Sequence, residues 1–100
     1  MQQELFIVFF VPGTVRLPPE GQDIVRQAAD TAVAIRASRI QIAVPLDAGA
    51  NGLREARFTA IQNILSASGV SARVNAGAQL VAPAAMLPGA SDRAEIRLIP

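Results

Sequence analysis

The stretch Leu5-Phe6-Ile7-Val8-Phe9-Phe10-Val11, closed by Pro12-Gly13, decides the fold of this 100-residue chain. Its β-branched and aromatic residues predict a β-strand, which the Pro-Gly pair ends. Because apolar and polar residues do not alternate, we expect the strand to be buried on both faces or to lie at the centre of a sheet. The four phenylalanines of the chain are expected in the core: Phe6, Phe9, Phe10 and Phe58.

A helix is predicted directly after this strand. The segment Leu17-Pro18-Pro19-Glu20 is typical of a helix start, since proline suits the first turn and Glu20 and Asp23 complement the positive end of the helix dipole. Apolar residues continue at helical spacing as far as Ala37. They are Ile24, Val25, Ala28, Ala29, Ala32, Val33 and Ile35.

The remaining pattern predicts three more strands and one more helix. Residues 39–44 alternate between apolar and polar, which is typical of a half-buried strand. A helix is predicted over residues 53–68, with Gly69 in the left-handed position that often follows a helix. Its inward side chains are expected to be Leu53, Phe58, Ile61, Ile64 and Leu65. Short strands are predicted over residues 72–76 and 94–99, and loops over residues 47–52 and 80–92.

The resulting order β-α-β-α-β-β predicts a two-layer α/β sandwich. Two helices and four strands bury one another if both helices cover one face of the sheet, and right-handed crossovers make strands one, two and three parallel. The side chains expected to face the helices are Ile40, Ile42, Val44, Val74, Ile96 and Leu98. Those expected to face water are Gln41, Arg73, Asn75, Glu95 and Arg97.

The composition excludes several functions. The chain has no cysteine, histidine or lysine, which excludes thiolate or histidine-assisted nucleophiles, zinc sites with nitrogen or sulfur ligands, P-loops and disulfides. No catalytic pair of carboxylates is evident, so no enzyme and no cofactor are expected. Nine arginines against eight carboxylates give a net charge of +1, which does not predict a nucleic-acid surface. We expect a single domain over residues 1–100, whose oligomeric state the sequence leaves open.

Neither a membrane span nor a secretory signal is predicted. The longest strongly apolar run, at residues 5–11, is far shorter than the roughly 20 residues that cross a bilayer. The first four residues include no basic segment ahead of an apolar one. Two interpretations stay open: a cytoplasmic protein, or a mature or excised domain whose targeting segment is missing.

Several segments resemble the OmpA C-terminal-like peptidoglycan-binding domains, a family that includes Pal lipoproteins and flagellar stator proteins. Pro19-Glu20-Gly21 after the first strand is similar to the P-E-G of the family's helix entrance. Asp47 falls at the aspartate of V-G-H-T-D, and Arg57 at the arginine of x-L-S-x-x-R. Residues 91–96 resemble the final N-R-R-V-E-I segment, with Asp92 in place of its first arginine.

The resemblance implies a mixed sheet of strand order 1-4-2-3 and non-covalent binding of peptidoglycan. In typical members, an aspartate and an arginine hold the zwitterionic diaminopimelate of a stem peptide, and by position these are Asp47 and Arg57. Arg54, Asn51 and Arg93 complete the candidate ligand site. The implied location is the periplasm, in association with the outer membrane, and no metal is implied.

Departures from the family pattern keep other functions open. The loop after Asp47 is about five residues shorter, and Val44, Pro45 and Leu46 replace the Gly, His and Thr before the aspartate. A diverged domain that has lost peptidoglycan binding and serves as a protein–protein module in an envelope or secretion assembly is the alternative. A cytoplasmic regulatory domain is the third possibility. Residue by residue, the alternatives are a solvated Asp47, exposed Arg54 and Arg57 on one helix face, and Arg93 anchoring the last loop.

Overall fold

Alternation of buried and half-buried residues along the last strand shows how the sheet is layered. The computed structural model describes residues 4–45, 52–82 and 92–100. In β4 (Arg93–Ile99), Ala94, Ile96 and Leu98 are fully buried, while the residues between them are partly exposed. One face of the sheet is therefore packed and the other is open, as expected for a two-layer sandwich.

The remaining elements are β1 (Glu4–Phe9), α1 (Pro19–Ala34), β2 (Arg39–Ala43), α2 (Leu53–Ala67), α3 (Ala72–Ala76) and β3 (Gln79–Val81). The strands form one sheet in the order β1-β4-β2-β3. β4 is antiparallel to both β1 and β2, whereas β3 is parallel to β2. This confirms the predicted mixed four-stranded sheet of order 1-4-2-3 and its packing helices.

The core lies between the packed sheet face and the helices α1 and α2. The expected inward residues of β2 and β4 are fully buried: Ile40, Ile42, Ile96 and Leu98, together with Val44 just after β2. Val25, Ala28 and Ala29 of α1 and Ile61 and Leu65 of α2 are also fully buried. Gly69 has a positive φ of 105°, which agrees with the glycine predicted after the second helix.

The strand predicted over residues 72–76 is wrong, because this segment is the short helix α3. Ser71 caps the helix by accepting a hydrogen bond from the backbone N–H of Val74 at 3.3 Å. Gln62 and Asn75 then exchange side-chain-to-backbone hydrogen bonds of 2.9 and 3.0 Å between α2 and α3. The third strand in chain order follows at Gln79–Val81 and overlaps the start of the segment 80–92, which was expected to be irregular. Arg73 and Asn75 therefore do not face water from a strand.

The position predicted for the first strand is also wrong. β1 lies at an edge of the sheet, and among the described strands it pairs with β4 alone. Val8 is fully buried, but Leu5, Ile7 and Phe9 on the opposite face are 45%, 37% and 56% exposed. Only the face of β1 that carries Val8 is packed, although both faces are apolar. The prediction that Phe9 lies in the core is therefore wrong.

Gly21 sets the distance between α1 and β1. A Cβ atom on this buried residue would lie 3.1 Å from Leu17 Cδ2 and 3.4 Å from the backbone oxygen of Phe9. The P-E-G segment at the start of α1 thus ends in a residue without a side chain because the helix approaches the strand backbone here.

We expect Gly21→Val to lower the free energy of unfolding by about 1–3 kcal/mol, because the added methyl groups meet a backbone oxygen that cannot move alone. Urea denaturation followed by circular dichroism measures this change. Gln27→Val, at an exposed position of the same helix, is the control and should cost less than about 0.7 kcal/mol. Equal losses in the two variants would contradict the close approach.

Candidate functional site

The candidate site is centred on Arg57, in the second turn of α2. Its side chain is fully buried, which rules out the alternative of an arginine on a solvated helix face. Nε donates to the backbone oxygen of Thr14 at 2.8 Å, and Nη2 donates to Asp92 Oδ1 at 2.8 Å. The guanidinium carbon lies 4.8 Å from the centre of the Phe10 ring. Arg57 therefore joins α2 to the segments after β1 and before β4.

A tight turn after β1 presents the Thr14 carbonyl to Arg57. Gly13 has a positive φ of 71°, and the Thr14 N–H donates to the oxygen of Val11 at 3.0 Å. Proline at the second position and a glycine of positive φ at the third are the residues that a type II turn requires. The Thr14 hydroxyl also donates to Val11 O at 2.8 Å and accepts from the Arg16 N–H at 3.1 Å. The turn is thus held by hydrogen bonds of its own, in addition to the one that it accepts from Arg57.

Asp92 supplies the negative charge opposite Arg57. Its Oδ1 accepts from Arg57 Nη2 and from the Gly13 N–H at 3.1 Å, and its side chain is 27% exposed. Its own backbone oxygen accepts from the Phe10 N–H at 2.9 Å, which holds the residue at the start of β4. The hydrogen bond from Arg57 lowers the pKa of the Asp92 carboxyl, and the bond from Gly13 lowers it further against a smaller opposing effect of burial.

The structure does not bring all the predicted site residues together. Arg54, one turn before Arg57, donates from Nε to the backbone oxygen of Val44 at 2.9 Å and so ties α2 to the end of β2. Arg93 lies on the open face of the sheet, where Nη2 is 3.0 Å from Glu95 Oε2. Its Nε has no hydrogen-bond partner among the described residues. Asp47 and Asn51 lie outside the described residues.

The residue that sequence reasoning missed is Asp92. Its signal was present, since it stands where the OmpA C-terminal-like pattern has an arginine. An aspartate in place of that arginine puts a negative charge at the candidate site. This negative charge can pair with Arg57. The pairing itself joins residues 35 positions apart, which no local pattern predicts.

Two concave surfaces lie away from Arg57. One is on the open face of the sheet, and its lining includes Leu5, Gln41, Glu95 and Arg97. The other lies between α1 and α3. Its lining residues include Val33, Arg36, Val70 and Val74. Within the described ranges no group of three or more acidic, histidine or cysteine side chains is arranged to hold a metal ion. No helix of the described part is long and apolar enough to cross a membrane.

Comparison with known proteins adds to this picture through structure and not through sequence. The sequence matches no protein-family model and no curated protein. Among solved structures, the OmpA-like domain of FopA1 from Francisella tularensis subsp. tularensis SCHU S4 superposes with a TM-score of 0.74 at 12% identity. The match covers 98% of this chain and 73% of that one.

The fold is that of an OmpA-like domain. Nearly the whole chain takes part in the match, so the fold resemblance is not confined to a common substructure. At 12% identity the comparison concerns the fold alone, and the chemistry of the site depends on the contacts of Arg57 and Asp92.

The pH dependence of stability tests the Arg57–Asp92 contact. Because the folded-state pKa of Asp92 lies below its ordinary value of 3.8, the contact stabilises the domain fully above that value and is lost as pH falls below it. We expect Asp92→Asn to lower the free energy of unfolding by about 1–3 kcal/mol at neutral pH, with the deficit shrinking below about pH 4.

Urea denaturation at several pH values measures this convergence. Asp23→Asn is the matched control, since Asp23 forms an ion pair with Arg26 in which both side chains are more than half exposed. That exposed pair contributes little, so the control should follow the wild-type curve closely. An Asp92→Asn curve that stays parallel to the wild type down to low pH would show that Asp92 is not the titrating group.

Proposed function

We propose that this chain is a non-enzymatic OmpA-like domain of the cell envelope that works through protein–protein contacts. In this proposal, the arginine at the family's ligand position is a structural residue, and peptidoglycan binding has been lost. The observation that carries the proposal is the complete burial of Arg57 against Asp92, Thr14 and Phe10.

Asp92 places a carboxylate of the chain itself against Arg57, where a stem peptide would otherwise place its own carboxylate. A stem-peptide carboxylate needs a guanidinium edge, and one edge of Arg57 already donates to Asp92 Oδ1 and Thr14 O. A ligand carboxylate that takes the same guanidinium edge would have to displace Asp92 from its hydrogen bond with Arg57. A ligand carboxylate gains little by replacing a carboxylate that is already well placed, so net affinity for the stem peptide is expected to be weak.

An exposed apolar row supports the protein–protein role. Leu5, Ile7, Phe9 and Val11 lie at alternate positions on β1 and just after it, and each is at least 37% exposed. Single exposed apolar residues are common on protein surfaces, but a contiguous row indicates a surface that another protein covers. The expected partners are proteins of an envelope or secretion assembly in the periplasm.

Peptidoglycan binding is the second candidate function. It is supported by the OmpA-like fold and by an arginine at the position that binds diaminopimelate in typical members. In that case Asp47, with Arg57, would hold the stem peptide, and Arg54 would lie one turn away. The Arg54 side chain is engaged by Val44 O through Nε.

Co-sedimentation with purified diaminopimelate-type sacculi separates the two candidates. We expect the fraction of the domain that pellets with sacculi to equal the fraction that pellets without them, because Arg57 is occupied by Asp92. A peptidoglycan-binding domain that does pellet serves as the positive control for the sacculi. Pelleting of this domain that free diaminopimelate competes away would overturn the proposal, and this competition does not depend on the folding of any variant.

A further inference from the structure

We propose that two copies of this chain associate through the free edge of β1, which pairs antiparallel with its own counterpart around a two-fold axis at Ile7. The proposal rests on the protein–protein role proposed above and assigns it a partner, a second copy of the same chain. The shared sheet would then have eight strands.

The first support is the set of backbone groups at the edge. The Phe10 N–H donates to the Asp92 oxygen, and β1 pairs residue by residue with β4. Because backbone groups alternate sides along an antiparallel strand, Glu4, Phe6 and Val8 direct theirs toward β4, and Leu5, Ile7 and Phe9 direct theirs outward. Among the described residues no backbone partner is found for these outward groups.

The second support is that this edge lacks the features that usually prevent strand pairing. Natural edge strands are blunted by lysine, proline, bulges or a covering element. β1 contains no proline and no lysine, and Glu4 at its start is its one charged residue. Its pairing with β4 is continuous over six residues without a bulge. Such an edge is a template for another strand.

The third support fixes the register. The edge is closed after Phe10, because the Val11 N–H donates to the oxygen of Arg16 at 2.8 Å. Placing Ile7 opposite Ile7 of the second copy sets Leu5 opposite Phe9 at both ends, so the outward backbone groups of these three residues face one another. The Phe9 oxygen also lies beside Gly21 at the start of α1. The side chains of Leu5, Ile7 and Phe9 lie on the same open face and would merge into one apolar patch.

Charge complementarity favours a second copy over an unrelated strand. In this register Glu4 of one copy lies opposite Phe10 of the other. Val11, the residue after Phe10, is hydrogen-bonded to Arg16 of that same copy, so a negative residue comes near a positive one. The two-fold axis repeats this opposite-charge neighbourhood at the other end. The strand thus supplies matching apolar residues in its middle and Glu4 at its start, and the segment after the strand supplies Arg16.

Cysteine crosslinking tests the register, since the chain contains no native cysteine. Ile7→Cys should form a disulfide-linked dimer under mild oxidation, because directly opposed residues lie about 5.5 Å apart between Cα atoms. Leu5→Cys alone should not, since its own counterpart would be four residues, about 13 Å, further along the strand. A mixture of Leu5→Cys and Phe9→Cys should crosslink. Val33→Cys, at an exposed apolar position of α1, is the control.

Equal crosslinking of Ile7→Cys and Val33→Cys, or self-linking of Leu5→Cys as fast as Ile7→Cys, would overturn the proposal. Sedimentation of the unmodified domain gives a second measurement. We expect self-association with a dissociation constant of about 10–100 µM, given the small contact, and its loss in Ile7→Lys but not in Val33→Lys.

A domain that remains monomeric well above that range would overturn the homodimer. Failure of the homodimer and failure of the proposed function give different results, because co-sedimentation with sacculi tests the proposed function and sedimentation of the domain alone tests the homodimer. A monomer that ignores sacculi would leave the protein–protein role with a different partner.

Discussion

The buried contact between Arg57 and Asp92 is the interaction on which the rest of this structure depends. A charged guanidinium without accessible surface is tolerated only if it is paired and hydrogen-bonded. Its described partners come from two distant segments, one directly after β1 and one directly before β4. The type II-like turn at Gly13, the start of β4 and the second turn of α2 all meet at this side chain. Loss of Asp92 would remove the described carboxylate that balances this buried guanidinium, so the segments that meet at Arg57 are expected to change together.

Under the proposed function, the same contact accounts for an OmpA-like fold that persists without the family's ligand chemistry. The fold also depends on the apolar layer between the sheet and the helices, which includes Val8, Ile42, Ile61 and Ile96. Arg57 borders this layer through its contact with Phe10. The site depends on a few polar contacts at one end of that layer. Replacing a cation by Asp92 alters the charge balance at that end and leaves the apolar layer intact. In the proposed function, the arginine at the ligand position of the OmpA C-terminal-like pattern supports the fold instead of binding a ligand.

Much of the fold was predictable from the sequence because it follows from short-range patterns. The helices starting near Pro19 and Leu53, and the alternation in β2 and β4, were confirmed, and the sheet order came from the family resemblance. The strand predicted over residues 72–76 failed because five alternating residues also suit a single helical turn when Ser71 caps it. The central place predicted for β1 conflicted with the order 1-4-2-3, which puts the first strand at an edge. Arg57 and Asp92 could not be paired from sequence, because only the folded chain brings them together.

The position of β4 has a consequence for how the domain forms. The last strand along the chain lies between β1 and β2, so the two earlier strands have no direct hydrogen bonds to each other. In the native order, β1 gains its strand partner only when residues 93–99 join the sheet. Contacts between such distant segments form slowly. We therefore expect the pairing of β1 with β4, which joins the two ends of the described chain, to limit the rate at which the sheet forms.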